Sequence, residues 1–166
     1  AFLVEQWISA VEGLPAKLQQ GAKVADVGCG HGASTILMAE AFQNSRFLGF
    51  DSHRESIDTA RIRAEEAGSG SNLEFRTATA KGYDEGDFDL ICFMDCLHDM
   101  GDPVGAAKHA RSRIKPDGVV LLVEPAAGNS VSDNLHPVGR LYYAASTAVC
   151  TPCSLSQEVG AGLGAQ

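Results

Sequence analysis

Short apolar runs and longer amphipathic stretches alternate along this chain. Lys23–Val27 and Arg46–Asp51 are short runs rich in β-branched and aromatic residues, and Phe88–Met94 (FDLICFM) is apolar almost throughout. Runs of this kind suit parallel strands covered on both faces. Leu73–Ala78 and Val119–Glu124 complete a set of five predicted strands. Between them, Ala33–Gln43 carries Ile36, Leu37, Ala39 and Phe42 at helical spacing, and Arg54–Ala67 sets Ile57, Ala60, Ile62 and Ala64 against a charged face. Pro103–Ile114 opens on a proline, which the first helical turn accepts. Each of these reads as a crossover helix. Upstream, Trp7–Gln20 spaces Ile8, Val11, Leu14 and Leu18 helically, and a restart is expected at Pro15. Lys115–Gly118 reads as a turn. Beyond Pro125 the pattern weakens. Residues 129–140 (NSVSDNLHPVGR) read as a polar loop and Leu141–Val149 as a helix, with another helix expected to start at Ser154 as cap and Gln157 three residues on.

Strands alternating with helices imply an α/β fold with a doubly wound, mostly parallel sheet. Such sheets bind ligands at the carboxyl ends of their strands, where the strand order reverses. The polar residues predicted there are Asp26, Gly28–Gly32, Asp51, Ser52, Thr79, Asp95, His98 and Glu124. The stretch VADVGCGHGAST (Val24–Thr35) runs from strand into glycine turn into helix. Its glycines let a ligand approach the main chain, and the helix start directs N–H groups back at the turn. A carboxylate at the end of the second strand, Asp51, suits the two hydroxyls of a ribose, so an adenosine-containing ligand is expected.

Composition narrows the partners. The chain has 166 residues, one domain's worth, with a formal charge of −8, which disfavours a nucleic-acid surface. No apolar run approaches the roughly 20 residues that span a bilayer. The odd count of five cysteines suits thiols in a reducing cytoplasm better than a disulfide framework. Cys150 and Cys153 form a C-x-x-C without a second ligand pair at zinc spacing, and no His, Asp and Cys cluster has metal-ligand spacing, so a metal-independent protein is expected. His53, His109 and His136 show no partner pattern.

Gly28, Gly30 and Ala33 satisfy the dinucleotide pattern G-x-G-x-x-A formally. Asp26, two residues before the first glycine, is poorly placed beside a pyrophosphate and suits a ligand with an amine or positive centre. DVGCGHG, the acid of GFD, TATAKGY, FDLICFMDCLHDM and KPDGVVLLVEP together resemble the successive motifs of class I S-adenosylmethionine-dependent methyltransferases, over about Gly21–Pro125. The chain is most similar to bacterial small-molecule members that carry an N-terminal winged-helix domain, a domain not present in this sequence. The resemblance implies a Rossmann-like fold and S-adenosylmethionine as cofactor, with S-adenosylhomocysteine as product. It assigns the methionine part of the cofactor to Gly28, Gly30 and Gly32, with Cys29 and His31 of the same loop as further cofactor contacts, its amino group to Asp26, and its ribose to Asp51 with Ser52 beside the adenine. Thr79 and Ala80 stand where the family contacts adenine, though many members have an acid there. Met94 and Asp95 at the fourth strand's end complete the set.

LHDM is similar to the LHDW segment of plant O-methyltransferases, whose histidine is the general base. This implies His98 as base and Glu124 as the carboxylate that orients it, acting on a hydroxyl of a small-molecule acceptor. The resemblance divides the chain into flanking helices (1–20), a cofactor-binding core (21–125) and a helical lid on the acceptor side (126–166), in which Tyr142 and Tyr143 are pocket candidates. The family's sheet ends in two further strands. None is predicted after Glu124, so the sheet is expected to stop short, with its edge open or paired in a homodimer. The rival readings are an NAD(P)-dependent oxidoreductase and a non-catalytic module that binds S-adenosylmethionine as a signal.

Overall fold

A computed structural model describes residues 2–164. Its centre is a five-stranded sheet in the order β3-β2-β1-β4-β5. The strands are β1 Lys23–Val27, β2 Arg46–Asp51, β3 Leu73–Thr77, β4 Phe88–Met94 and β5 Ile114–Val123. β1 runs parallel to both β2 and β4, and β2 runs parallel to β3. The register sets Val24 beside Phe47 and Leu90, and Asp26 beside Gly49 and Cys92. From β1 the chain steps outward to β2 and β3, then returns to β4 on the other side. The strand order therefore reverses between β1 and β4, where such sheets bind ligands.

The helices are α1 Leu14–Gln20, α2 Ala33–Ala41, α3 Arg54–Glu66, α4 Pro103–Arg113, α5 Pro137–Ala145 and α6 Thr151–Leu155. A π-helical stretch, Leu3–Ile8, precedes α1, and another, Ser146–Cys150, joins α5 to α6. α1 starts with Pro15 in its first turn, as its fixed φ allows. No described helix is long and apolar enough to cross a membrane.

The chain divides into two compact units. One holds the residues through Met94 together with His109–Leu121; the other holds Asp95–Lys108 and the residues from Leu122 on. In the first unit, Ile8, Leu14, Leu18, Val24, Met38, Phe42, Phe47 and Leu90 form one buried cluster, and Cys29, Ile36, Ile57, Ala60 and Phe75 another. Burying each large apolar side chain contributes about 1.5–3 kcal/mol. Tyr83 stacks on Phe50 at 4.9 Å between ring centres and meets Phe88 edge-on.

Three expectations need correction. The polar loop read over residues 129–140 ends early, because Pro137 opens α5 with His136 as its cap, so the helix expected from Leu141 starts four residues sooner. The turn at Lys115–Gly118 is part of β5, which starts at Ile114. β5 lies at the sheet edge, a position that tolerates a proline such as Pro116, and Lys115 Nζ is anchored 2.9 Å from both carboxylate oxygens of Asp89. Ser154 and Gln157 do not start a helix. Ser154 lies inside α6, which ends at Leu155. Its hydroxyl donates to Met100 O (2.8 Å), while the Gln157 amide donates to Asp99 O (2.8 Å) and accepts from Gly101 N (2.9 Å). Tertiary partners claim both side chains before a local cap can form. Among the described residues no strand follows Val123. On β5, Val120 and Leu122 are 43% and 51% exposed.

Candidate active site

The predicted site residues fall in both units. In the first, β1 breaks into the turn Gly28–Gly32 and re-forms as α2. Gly28, Gly30 and Gly32 adopt φ of +77°, +52° and +77°, a region that favours glycine. Packing also fixes Gly32: a Cβ there would come within 2.5 Å of Phe75 Cζ, whereas nothing lies within 4 Å of the same position on Gly30. The backbone over Gly30 is thus open to a close-lying ligand. Gly28 N and Cys29 N both donate to Phe50 O, at 2.8 and 3.1 Å, tying the turn to the end of β2.

Asp26 is fully buried one residue before the end of β1. Its Oδ2 accepts from Ser34 Oγ at 2.6 Å and from Thr35 Oγ1 at 2.7 Å, both from the first turn of α2. Its Oδ1 is equally buried and has no partner. Burial pushes the carboxyl above its usual range, the two hydroxyl bonds pull it back, and Asp51 adds a further push upward. A buried carboxylate with one bare oxygen and no cation beside it is costly in water's absence. A cationic N–H donor would remove that cost.

Asp51 performs a bracing role. Oδ2 accepts from Gly30 N (2.9 Å), Oδ1 from His53 N (2.8 Å), and its main-chain carbonyl from Ala78 N (2.9 Å). It links the glycine turn, β2 and the loop that carries Thr79 and Ala80. Each carboxylate oxygen keeps acceptor capacity for a hydroxyl. Thr79, Ser52 and His31 are exposed, Ala80 is half-buried, Cys29 is buried, and half-buried Met94 packs on the main core cluster.

In the second unit, Asp95 opens the segment after β4 with φ +56°, a conformation costing about 1–2 kcal/mol for a residue with a Cβ. Its N–H donates to Val123 O at 2.7 Å. A 3₁₀ turn follows at Leu97–Asp99. Glu124 holds this turn: Oε1 accepts from Leu97 N at 2.8 Å and Cys96 N at 3.3 Å, and Oε2 accepts a short bond from His98 Nδ1. The imidazole is thereby oriented, with Nε2 left as the atom available for a proton. That atom stands 3.3 Å from Asp99 Oδ1. Burial, then the neighbouring Asp99 carboxylate, push the Cys150 thiol up.

The structure therefore brings Asp26, the glycine turn and Asp51 together in one unit, and Asp95, His98 and Glu124 together in the other. Sequence reasoning carried Ser34 and Thr35 only as the helical end of the Val24–Thr35 stretch, although a hydroxyl pair in the first helical turn after a strand-end acid is a readable signal. It missed that Asp99 meets Cys150, a pairing whose separation in the chain leaves no local trace. His109 and His136 have structural partners: His109 Nε2 lies 2.8 Å from Tyr83 O, and His136 Nδ1 accepts from Gly139 N at the start of α5.

A family model described as a methyltransferase domain matches residues 18–158. The chain belongs to that family. Among curated relatives, the ubiquinone biosynthesis O-methyltransferase of Actinobacillus pleuropneumoniae is 36% identical over 108 residues, covering 61% of this chain and 44% of the relative. The enzyme of the same name from Pseudomonas aeruginosa is 30% identical over 119 residues, covering 70% and 47%. This methyltransferase domain thus spans less than half the length of those relatives. Among solved structures, YcgJ of Bacillus subtilis shares the fold with a TM-score of 0.67 at 24% identity, over 80% of this chain and 54% of that one. PKMT2 of Rickettsia typhi, solved in complex with AdoHcy, aligns with a TM-score of 0.60 at 25% identity, over 72% and 24%.

Proposed function

We propose that this methyltransferase domain binds S-adenosylmethionine and transfers its methyl group to a hydroxyl of a small-molecule acceptor. The observation that carries the cofactor is Asp26: a buried carboxylate at the strand-order reversal, held by Ser34 and Thr35 on one oxygen and bare on the other. The cofactor's ammonium is the donor that Oδ1 lacks. The open backbone over Gly30 takes the methionine part, and Asp51 takes the ribose hydroxyls while continuing to brace the turn. Cys29, His31, Gly28 and Gly32 shape that wall, Ser52, Thr79 and Ala80 border the adenine, and Met94 and Asp95 close the end of β4.

S-adenosylmethionine supplies an activated methyl on a sulfonium, so the protein's task is positioning and deprotonation. His98 Nε2 takes the acceptor's hydroxyl proton. Glu124 keeps Nδ1 protonated and stabilises the imidazolium that results. The O-methyltransferase relatives support a hydroxyl acceptor. The position of β5 at the edge of the sheet leaves room for a further strand pairing there, as in a homodimer.

Calorimetric titration with S-adenosylhomocysteine and with NAD tests the cofactor. Binding of the first alone is expected, and binding of NAD alone overturns the reading. His98→Gln is expected to leave S-adenosylhomocysteine affinity unchanged and to lower kcat toward a phenolic acceptor by about 10²–10⁴ in an active protein. Full turnover in that variant removes His98 as base.

A further inference from the structure

We propose that His98 Nε2, Asp99 Oδ1 and Cys150 Sγ form a site for a zinc-like divalent cation. The three side chains bring their ligand atoms within 4.8 Å of one another, inside a single compact unit. The spacing between Nε2 and Oδ1 is 3.3 Å. Two ligands at about 2.0–2.1 Å from a tetrahedral zinc stand about 3.3 Å apart.

Three features make this a built site. Asp99 Oδ1 is shut off from solvent and takes no hydrogen bond from outside the cluster, the neighbours of its carboxylate being His98 Nε2 at 3.3 Å and the Cys150 thiol. Glu124 Oε2 contacts His98 Nδ1, which leaves Nε2 as the ring nitrogen that faces that same oxygen. Metal-bound histidines are oriented in this way, by a carboxylate on the other ring nitrogen. The ligands are also held in place. Ser154 Oγ to Met100 O (2.8 Å), Gln157 Nε2 to Asp99 O (2.8 Å) and Ala161 N to Gly101 O (2.9 Å) tie the His98–Gly101 segment to the chain that follows Cys150. The alternative set Asp95, His98 and Glu124 needs Nδ1, which Glu124 already occupies.

One nitrogen, one carboxylate oxygen and one sulfur select zinc or cobalt over magnesium or calcium. Binding releases the Cys150 thiol proton to solvent, and water completes the coordination. The site does not depend on the methyl-transfer reading and meets it at one atom, since Nε2 cannot hold a metal and accept a proton at once.

Titration of the whole chain with Co²⁺, followed by optical absorption, tests the site. One equivalent is expected, with a thiolate-to-cobalt charge-transfer band that Zn²⁺ displaces. Cys150→Ser is expected to abolish the band, and Cys153→Ser, on an exposed cysteine outside the cluster, to preserve it. Glu124→Gln is expected to weaken Zn²⁺ binding about 10- to 100-fold while keeping the band. If Cys150→Ser does not fold, Asp99→Asn keeps the test open, with weaker Zn²⁺ binding and the band retained. The absence of a thiolate band, or a band that survives Cys150→Ser or is lost in Cys153→Ser, overturns the proposal. None of these readouts involves methyl transfer or adenosine binding, so they fail or succeed separately from the cofactor reading.

Discussion

Two buried aspartates sit on neighbouring strands of the same sheet, at opposite ends. Asp89 lies near the amino end of β4 and is surrounded by positive charge and donors. Lys115 Nζ contacts both its oxygens at 2.9 Å, Lys23 N donates to Oδ2 at 2.9 Å, and Lys17 Nζ stands 3.5 Å from Oδ1. Asp26 lies near the carboxyl end of β1, receives two hydroxyl bonds on one oxygen, and keeps the other bare. Burial pushes both carboxyls up. At Asp89 the Lys23 N–H and the lysines overcome that push, and its carboxyl falls below the usual range; at Asp26 nothing does. The amino-end acid is complete within the protein and serves the fold. The carboxyl-end acid is left incomplete by the protein, and the proposed cofactor contact rests on that bare oxygen.

Four measurements can break or sharpen this contrast, from the largest expected effect to the smallest. Asp89→Ala strands Lys115 and the Lys23 N–H and is expected to cost about 3 kcal/mol in denaturant unfolding, with S-adenosylhomocysteine affinity unchanged in the folded protein. A parallel loss of affinity would erase the division of labour. Asp26→Asn is expected to weaken S-adenosylhomocysteine about 100-fold, roughly 2.7 kcal/mol, while the Tm of the ligand-free chain holds or rises. A lower Tm with intact affinity would make Asp26 structural.

The pH dependence of stability should differ in sign between the two. Asp26 has a folded-state pKa above its unfolded value, so its contribution is fully present below the ordinary aspartate range and is lost as pH rises through the raised folded value. Asp89 has a lowered folded-state pKa, so its contribution is present above that ordinary range and is lost as pH falls through the lowered value. Urea titrations of Asp26→Asn and Asp89→Asn across acidic to neutral pH should each remove one of these opposing slopes. Finally, a saturating amine-bearing ligand should remove the Asp26 slope in the unmodified chain, because its ammonium makes the ionised carboxylate the favoured form; a slope unchanged by S-adenosylhomocysteine would detach Asp26 from the ligand.

Much of the fold was legible in the sequence. The bounds of β1, β2 and β4 match the predicted runs, because each is a continuous apolar segment punctuated by Gly, Asp or Asn. The glycine turn was legible because φ above zero and close backbone approach select glycine at fixed spacing. β5 was read too short, since Pro116 and Gly118 look like a turn when the strand's edge position is unknown. Ser154 and Gln157 were read as a cap because their spacing matches a local motif, while their partners, Met100, Asp99 and Gly101, lie far back in the chain.

The sequence by itself determined the order of elements, the parallel sheet and the placing of polar residues at strand ends, since periodicity and turn chemistry act over a few residues. Only the tertiary structure decided which of those residues are satisfied. It showed Asp26 half-satisfied and Asp89 fully partnered, Glu124 holding His98, and Asp99 meeting Cys150. A side chain's burial and its partners come from segments the chain brings together across long separations, and no local pattern encodes them.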